Sequence, residues 1–148
     1  MGPPADAALP FLPRHSAGTD PRDGCIAVVD VPGKGRGVVA VRGFAAGDSI
    51  ETAPVIPVDA AHVAALSTTV LDHYVYDWFP GSTGLAVALG CGSLYNHSYA
   101  PNAYYKKDFA KNTIEYIALI EIAPGTEVLV NYNGDPNDQT PLWFDVVA

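Results

Sequence analysis

Three short stretches carry side chains suited to chemistry. Asn96-His97-Ser98-Tyr99-Ala100-Pro101-Asn102 sets an amide beside an imidazole, with a proline to end the turn. Downstream, Gly125-Thr126-Glu127-Val128-Leu129-Val130-Asn131-Tyr132 runs from a glycine turn through apolar residues to a tyrosine. Near the start, Gly33-Lys34-Gly35-Arg36-Gly37 interleaves glycines with two cations. Tyrosines are dense between residues 74 and 132, where Tyr76, Tyr95, Tyr99, Tyr104, Tyr105, Tyr116 and Tyr132 all fall. No Gly-x-Ser-x-Gly elbow or Cys/His nucleophile signature accompanies them. Cys25 and Cys91 stand far apart, and His15, His62, His73 and His97 lack ligand spacing, so no metal site and no disulfide framework is expected. What is left is chemistry by holding and aligning. Asn96 and His97 can hydrogen-bond a ligand, and tyrosine rings can strip water from a partner group while their hydroxyls orient it.

The elements that position these residues read as short strands. Ile26-Ala27-Val28-Val29 and Val38-Val39-Ala40-Val41 are β-branched runs across a glycine turn at 31–37. Ala46-Gly47-Asp48 turns into Ser49-Ile50-Glu51-Thr52. Residues 59–72 are the best helix candidate, with Val63, Leu66, Val70 and Leu71 at helical spacing and Asp59 as cap. Further strands are expected at 74–79, 85–89, 103–105, 113–120 and 127–132. Phe44-Ala45-Ala46-Gly47-Asp48-Ser49-Ile50 is faintly echoed by Ile122-Ala123-Pro124-Gly125-Thr126-Glu127-Val128, two similar turns entering strands. Residues 1–22 are rich in Pro and Ala and read as a flexible tail, from which Phe11 and Leu12 can dock back.

Composition agrees with one mostly-β domain: 148 residues, 49% hydrophobic, 14 glycines and 13 prolines. A net charge of −8 argues against nucleic acid and favours basic peptides as partners. No run approaches the length of a membrane span, and no secretion signal opens the chain, so a cytoplasmic location is expected. The formal glycosylation triplet Asn96-His97-Ser98 is read as accidental for that reason. Gly35-Arg36-Gly37-Val38-Val39-Ala40 fits a dinucleotide fingerprint by letter. That fingerprint needs a helix at its second glycine, and the valines that follow exclude it. A hairpin with glycines at positive φ, which also lets a ligand approach the backbone, suits the residues better.

The Asn96–Asn102 and Gly125–Tyr132 strings together resemble the two signature motifs of SET-domain protein-lysine methyltransferases. Gly33–Gly37 is similar to that family's first, glycine-turn motif. The resemblance covers residues 25–144 and implies a SET-type fold: several short sheets, one or two short helices and a knot-like C-terminal crossing. It divides the chain into a tail (1–22), a SET domain (23–133) and a C-terminal post-SET-like segment (134–148). It further implies methyl transfer from S-adenosylmethionine to the side-chain amine of a protein lysine. Gly35, Arg36, Gly37, Asn96 and His97 would then hold the cofactor, and Tyr132 would be catalytic. Tyr105 and Tyr76 would line the lysine channel, and Trp143 over the cofactor or Phe144 over the substrate would form a C-terminal lid. Methyl transfer is an in-line displacement that needs a neutral, aligned amine and no covalent intermediate, which suits the residues available.

Two departures qualify the match. The family's Tyr-x-Gly motif is not evident, and Glu51-Thr52-Ala53-Pro54 stands in its place, which leaves the peptide groove unassigned. The C-terminal segment lacks a cysteine cluster, so the chain resembles compact, zinc-free members of bacterial or viral type. Such a compact chain also fits a homodimer. The contrasting possibility is a catalytically silent SET-like module that binds a basic peptide. Retention of Tyr132 with Asn96-His97 favours the enzyme, because a pure binder has no need of them.

Overall fold

The computed structural model describes residues 24–147, and the expected tail at 1–22 lies outside them. The first valine-rich runs form β1 (Ile26–Val31) and β2 (Gly35–Ala40), antiparallel from Ile26↔Ala40 to Val31↔Gly35. The turn is tighter than the sequence suggested. Only Pro32, Gly33 and Lys34 lie outside the ladder, while Gly35 and Gly37 are strand residues. Gly33 and Gly35 both sit at φ +77°, where a Cβ would be strained.

The main sheet is built on β3 (Ser49–Val58), the longest strand. One side of it carries β5 (Leu85–Ala88) and then β4 (Val75–Asp77); the other carries β8 (Thr113–Ala118) and then β7 (Ala103–Asp108). The 103–108 and 113–118 runs pair across the polar turn as expected, from Ala103↔Ala118 to Asp108↔Thr113. Alternation along these strands, with a register shift between Ser49 and Glu51 of β3, sends Ile50, Ala53, Ile114 and Tyr116 into the core with Phe44, Tyr95, Ile122 and Val128. The two echoed turns prove to be neighbours: Phe44 and Ile122 exchange backbone hydrogen bonds of 2.9 Å in both directions.

The helix differs from expectation. It spans Ala60–Leu66 as α1, and a separate 3-10 turn covers Val70–His73. The chain breaks at Ser67–Thr69, where the Thr69 hydroxyl caps the second turn by accepting from Leu71 N–H at 3.3 Å. Asp59 occupies the cap position of α1 without a side-chain bond. Neither piece has a fully buried residue: Val63 and Leu66, half-buried, are the only residues of α1 that are not exposed, and Val70 is 68% exposed, so the apolar spacing marks at most a partly covered side.

The main sheet curls until its two edge strands nearly meet. Side chains, rather than backbone ladders, cross the seam between β4 and β7. Tyr76 meets Tyr105 edge to face at 5.3 Å, Lys107 Nζ donates to the Asp77 carbonyl at 2.8 Å, and Trp78 packs on Phe109 at 4.8 Å. An opening bordered by these rungs becomes part of the site.

A second crossing brings the two sequence motifs together. Asn96–His97 forms β6 and Leu129–Val130 forms β9, a parallel pair registered Asn96↔Leu129 and His97↔Val130. The strand expected over 127–132 is thus two residues of ladder. Asn102 extends it with its side chain: Nδ2 donates to the Glu127 carbonyl and Oδ1 accepts from Leu129 N–H, both at 2.8 Å. Each such bond is worth about 1 kcal/mol net, but an orphaned buried carbonyl costs about 1–3 kcal/mol. Beyond Tyr132 the chain returns toward the β1–β2 turn, where a Cβ at Gly33 would lie 3.3 Å from Val147.

Candidate active site

Two adjoining cavities open where β6, β9, the seam and the C-terminal segment converge. The larger, about 390 Å³, is lined by Tyr74, Tyr76, Tyr95, Tyr105, Tyr132 and Phe144, with Asp72, Asp77 and Lys107 among its polar groups. The smaller, about 270 Å³, is lined by Lys34, Gly35, Arg36, Leu94 and Asn96. His73, Tyr74, Ser93, Tyr132, Trp143 and Phe144 line both and form their common wall. The site is therefore two compartments sharing a wall that includes Tyr132.

Tyr132 owes its position to the β6–β9 pairing. Its backbone N–H donates to His97 Nδ1 at 2.9 Å, and its hydroxyl donates to the Tyr95 carbonyl at 2.6 Å. The side chain is 40% exposed, yet its hydroxyl is anchored inward by that bond. Burial pushes its pKa up to about 12, with the Glu127 carboxylate adding to the rise, so the phenol stays neutral at pH 7. Because its proton is committed to Tyr95, the hydroxyl oxygen keeps lone pairs to accept a further hydrogen bond.

His97 is buried, and burial lowers its pKa. Since Nδ1 accepts from Tyr132, the neutral ring carries its proton on Nε2, which is buried with no hydrogen-bond partner. The ring lies edge-on to Tyr99 at 4.4 Å and to Phe144 at 6.4 Å. Its side chain lines neither cavity and serves as a support behind Tyr132.

Asn96 joins the glycine hairpin to the second motif. Its Nδ2 donates to the Arg36 carbonyl at 3.0 Å and to Glu127 Oε1 at 2.7 Å, while Lys34 Nζ reaches Glu127 Oε2 at 3.2 Å. Gly37 fits beneath this cluster and lines neither cavity. A Cβ there would stand 2.6 Å from Glu127 Oε1, 2.7 Å from Asn96 Nδ2 and 2.8 Å from Val31 Cγ2. Gly35 is the opposite case: it borders the smaller cavity, and a Cβ there would meet nothing within 4 Å. The two glycines thus do different work, one admitting a hydrogen-bond cluster and the other keeping the cavity open.

Tyr76 and Tyr105 both line the larger cavity. Tyr76 donates to the Gly92 carbonyl at 2.7 Å, and Tyr116 Oη lies 2.9 Å from both that carbonyl and Tyr76 Oη. Tyr105 Oη is 3.5 Å from the Tyr132 carbonyl, a long contact, and burial lifts its pKa to about 12. The expected ring of tyrosines is smaller than the sequence density suggested. Tyr116 is buried beneath the cavity, and Tyr104, on the other face of β7, carries Lys106 over its ring at 5.8 Å. Tyr99 holds the C-terminal segment, accepting from Leu142 N–H at 3.0 Å. Tyr74, Glu51 and Glu127 were given no role by sequence reasoning. Glu127 had a signal, since it sits inside the Gly-x-Glu motif, but its partners are 31 and 93 residues away.

The C-terminal segment closes the site. Asn131 Nδ2 donates to the Asp138 carbonyl at 2.6 Å and Asn133 Nδ2 to the Thr140 carbonyl at 2.9 Å, which fixes the path to Trp143 and Phe144. Phe144 meets Tyr132 at 6.1 Å and Trp143 at 4.9 Å, both edge to face. Trp143 stacks on His73 at 5.6 Å, and beyond that ring and Phe144 it is largely open, with 77% of its surface exposed.

Residues 35–133 match the SET domain family. Over 117 residues the chain is 40% identical to a histone-lysine N-methyltransferase of Schizosaccharomyces pombe described as specific for H3 lysine-37. That alignment covers 78% of this chain and 74% of the relative. The fold is similar to the crystal structure of a Plasmodium falciparum protein provisionally named a histone methyltransferase, with a TM-score of 0.59 and 27% identity. The similarity covers 72% of this chain and 91% of that one. A mostly-β fold, two motifs paired as β6 and β9, and these likenesses agree: the chain belongs to the SET-domain family of protein-lysine methyltransferases.

Proposed function

We propose that the protein transfers a methyl group from S-adenosylmethionine to the side-chain amine of a lysine in a basic, histone-like protein segment. The observation that carries this reading is the pair of cavities sharing a wall that includes Tyr132. A transfer enzyme needs donor and acceptor on opposite sides of one reacting point, and a binding module does not.

The smaller cavity suits the cofactor. Arg36, beside a Lys34 already paired with Glu127, supplies positive charge for a carboxylate, and Gly35 leaves room where a Cβ would project. With both N–H groups of Asn96 committed to Arg36 and Glu127, its carbonyl oxygen is the atom available to an ammonium. Trp143 offers an open aromatic face at the same cavity. When bound, S-adenosylmethionine supplies an electrophilic methyl on a sulfonium. The larger cavity suits the lysine. Rings of Tyr76, Tyr105 and Phe144 replace water along its stem, which favours the neutral amine. Tyr132 Oη accepts one amine N–H, and so turns the nitrogen lone pair toward the shared wall. Asp72 and Asp77 at this cavity, with the overall charge of −8, attract basic sequence around the target.

Calorimetric titration with S-adenosylmethionine and S-adenosylhomocysteine tests the reading. Saturable binding at about micromolar Kd is expected for both. No binding at about millimolar ligand, with or without a lysine-rich peptide, contradicts the cofactor assignment.

A further inference from the structure

Glu51, which replaces the family's expected second motif, ends in a position that the proposed mechanism has not used. It lies on β3, and its carboxylate reaches sideways into the segment 90–95. Oε1 accepts the Tyr95 hydroxyl at 2.8 Å, and Oε2 accepts Cys91 N–H at 3.0 Å. Gly90 makes the approach feasible: it sits at φ +59°, and a Cβ there would stand 2.4 Å from Glu51 Oε2. One carboxylate therefore grips both ends of a six-residue loop.

That loop carries the carbonyls that aim the tyrosines. The Gly92 carbonyl accepts from Tyr76, with Tyr116 Oη 2.9 Å away, and the Tyr95 carbonyl accepts from Tyr132. Tyr95 itself is stacked on Tyr116 at 4.2 Å with a 27° interplanar angle. Sliding or rotating Tyr95 would move the acceptor that sets the Tyr132 hydroxyl. We infer that Glu51 is a positioning residue for Tyr132, clamping the 90–95 loop so that the Tyr95 carbonyl holds the tyrosine hydroxyl in its productive orientation. It acts through Tyr95 and touches neither ligand. The inference rests on the proposed role of Tyr132.

The clamp depends on hydrogen bonds, not charge, and this separates the variants. Glu51→Leu removes both acceptors. Glu51→Gln keeps both contacts, with its carbonyl accepting from Cys91 N–H and its amide donating to Tyr95 Oη. At saturating S-adenosylmethionine and peptide, Glu51→Leu is expected to lower kcat at least about tenfold, with S-adenosylhomocysteine affinity changed less than about threefold. Glu51→Gln is expected to restore kcat to within about threefold of wild type. Tyr95→Phe, which keeps the stacked ring and deletes only the donor, should lower kcat by about threefold or more; it carries the test if Glu51→Leu fails to fold. A merely structural glutamate would lower the melting temperature and leave kcat intact, and that result overturns the clamp. Glu51→Gln as impaired as Glu51→Leu also overturns it. Tyr132→Phe run alongside keeps the two readings apart. If Tyr132→Phe is as active as wild type, the catalytic reading falls; if it is inactive while Glu51→Leu and Tyr95→Phe turn over normally, only the clamp falls.

Discussion

Tyr132→Phe abolishes methyl transfer, lowering kcat by about a hundredfold or more, while S-adenosylmethionine affinity changes by less than about tenfold. The expectation follows from where the hydroxyl lies. The ring forms part of the wall common to both cavities and is preserved by the substitution, so both compartments keep their shape. Only the oxygen is lost, and with it the acceptor proposed to align the incoming amine. The Tyr95 carbonyl also loses its donor, which costs about 1–3 kcal/mol of stability, so melting temperature must be read beside the rate. A folded variant that keeps the wild-type rate shows the catalytic assignment to be wrong. Neutrality of the phenol matters here as well. With its pKa pushed up to about 12, Tyr132 is a neutral phenol at pH 7, suited in the proposed mechanism to orient the amine rather than to act as a general base.

Asn96→Ala has the second largest expected effect, and it strikes the other compartment. Its amide ties the Arg36 carbonyl on β2 to Glu127 ahead of β9, and the residue lines the cavity proposed for the cofactor. Cofactor Kd should weaken by at least about tenfold. Stability should fall by about 1–3 kcal/mol, because a Glu127 oxygen loses its closest partner. Lys34 at 3.2 Å keeps the other Glu127 oxygen paired, so the fold should survive for titration. Parallel calorimetry and thermal melts separate the two effects. A destabilised variant with wild-type affinity removes Asn96 from the cofactor site.

Much of this architecture was legible because the signals were local. The β7–β8 pair was visible in alternating residues around a polar turn, and the β1–β2 hairpin in valines around glycines. The two motifs were legible as strings, and they do pair. Signals that failed had distant causes. Val63, Leu66, Val70 and Leu71 keep helical spacing, but Thr69 interrupts the helix, leaving Val63 and Leu66 half-buried and Val70 and Leu71 exposed. The strand expected at 127–132 is divided because its backbone changes partner, from β2 at Glu127 and Val128 to β6 at Leu129 and Val130, with Asn102, 25 and 27 residues upstream of its partners, bonding across the switch. The larger cavity borders a seam between β4 and β7, which exists only because the sheet curls. Tyrosine density overestimated the cavity lining for the same reason: strand alternation and curvature decide which of Tyr99, Tyr104, Tyr105 and Tyr116 faces inward. Glu51 looked like a gap in a motif, since its partner Tyr95 lies 44 residues away.

The most direct measurement is methyl transfer itself. Purified protein is incubated with labelled S-adenosylmethionine and a lysine-bearing histone-tail peptide, beside the same peptide with each lysine replaced by arginine. Label is expected on the lysine peptide, none on the arginine peptide, and none with Tyr132→Phe. A protein that binds the cofactor yet labels no lysine in peptides or whole core histones would overturn the proposed activity.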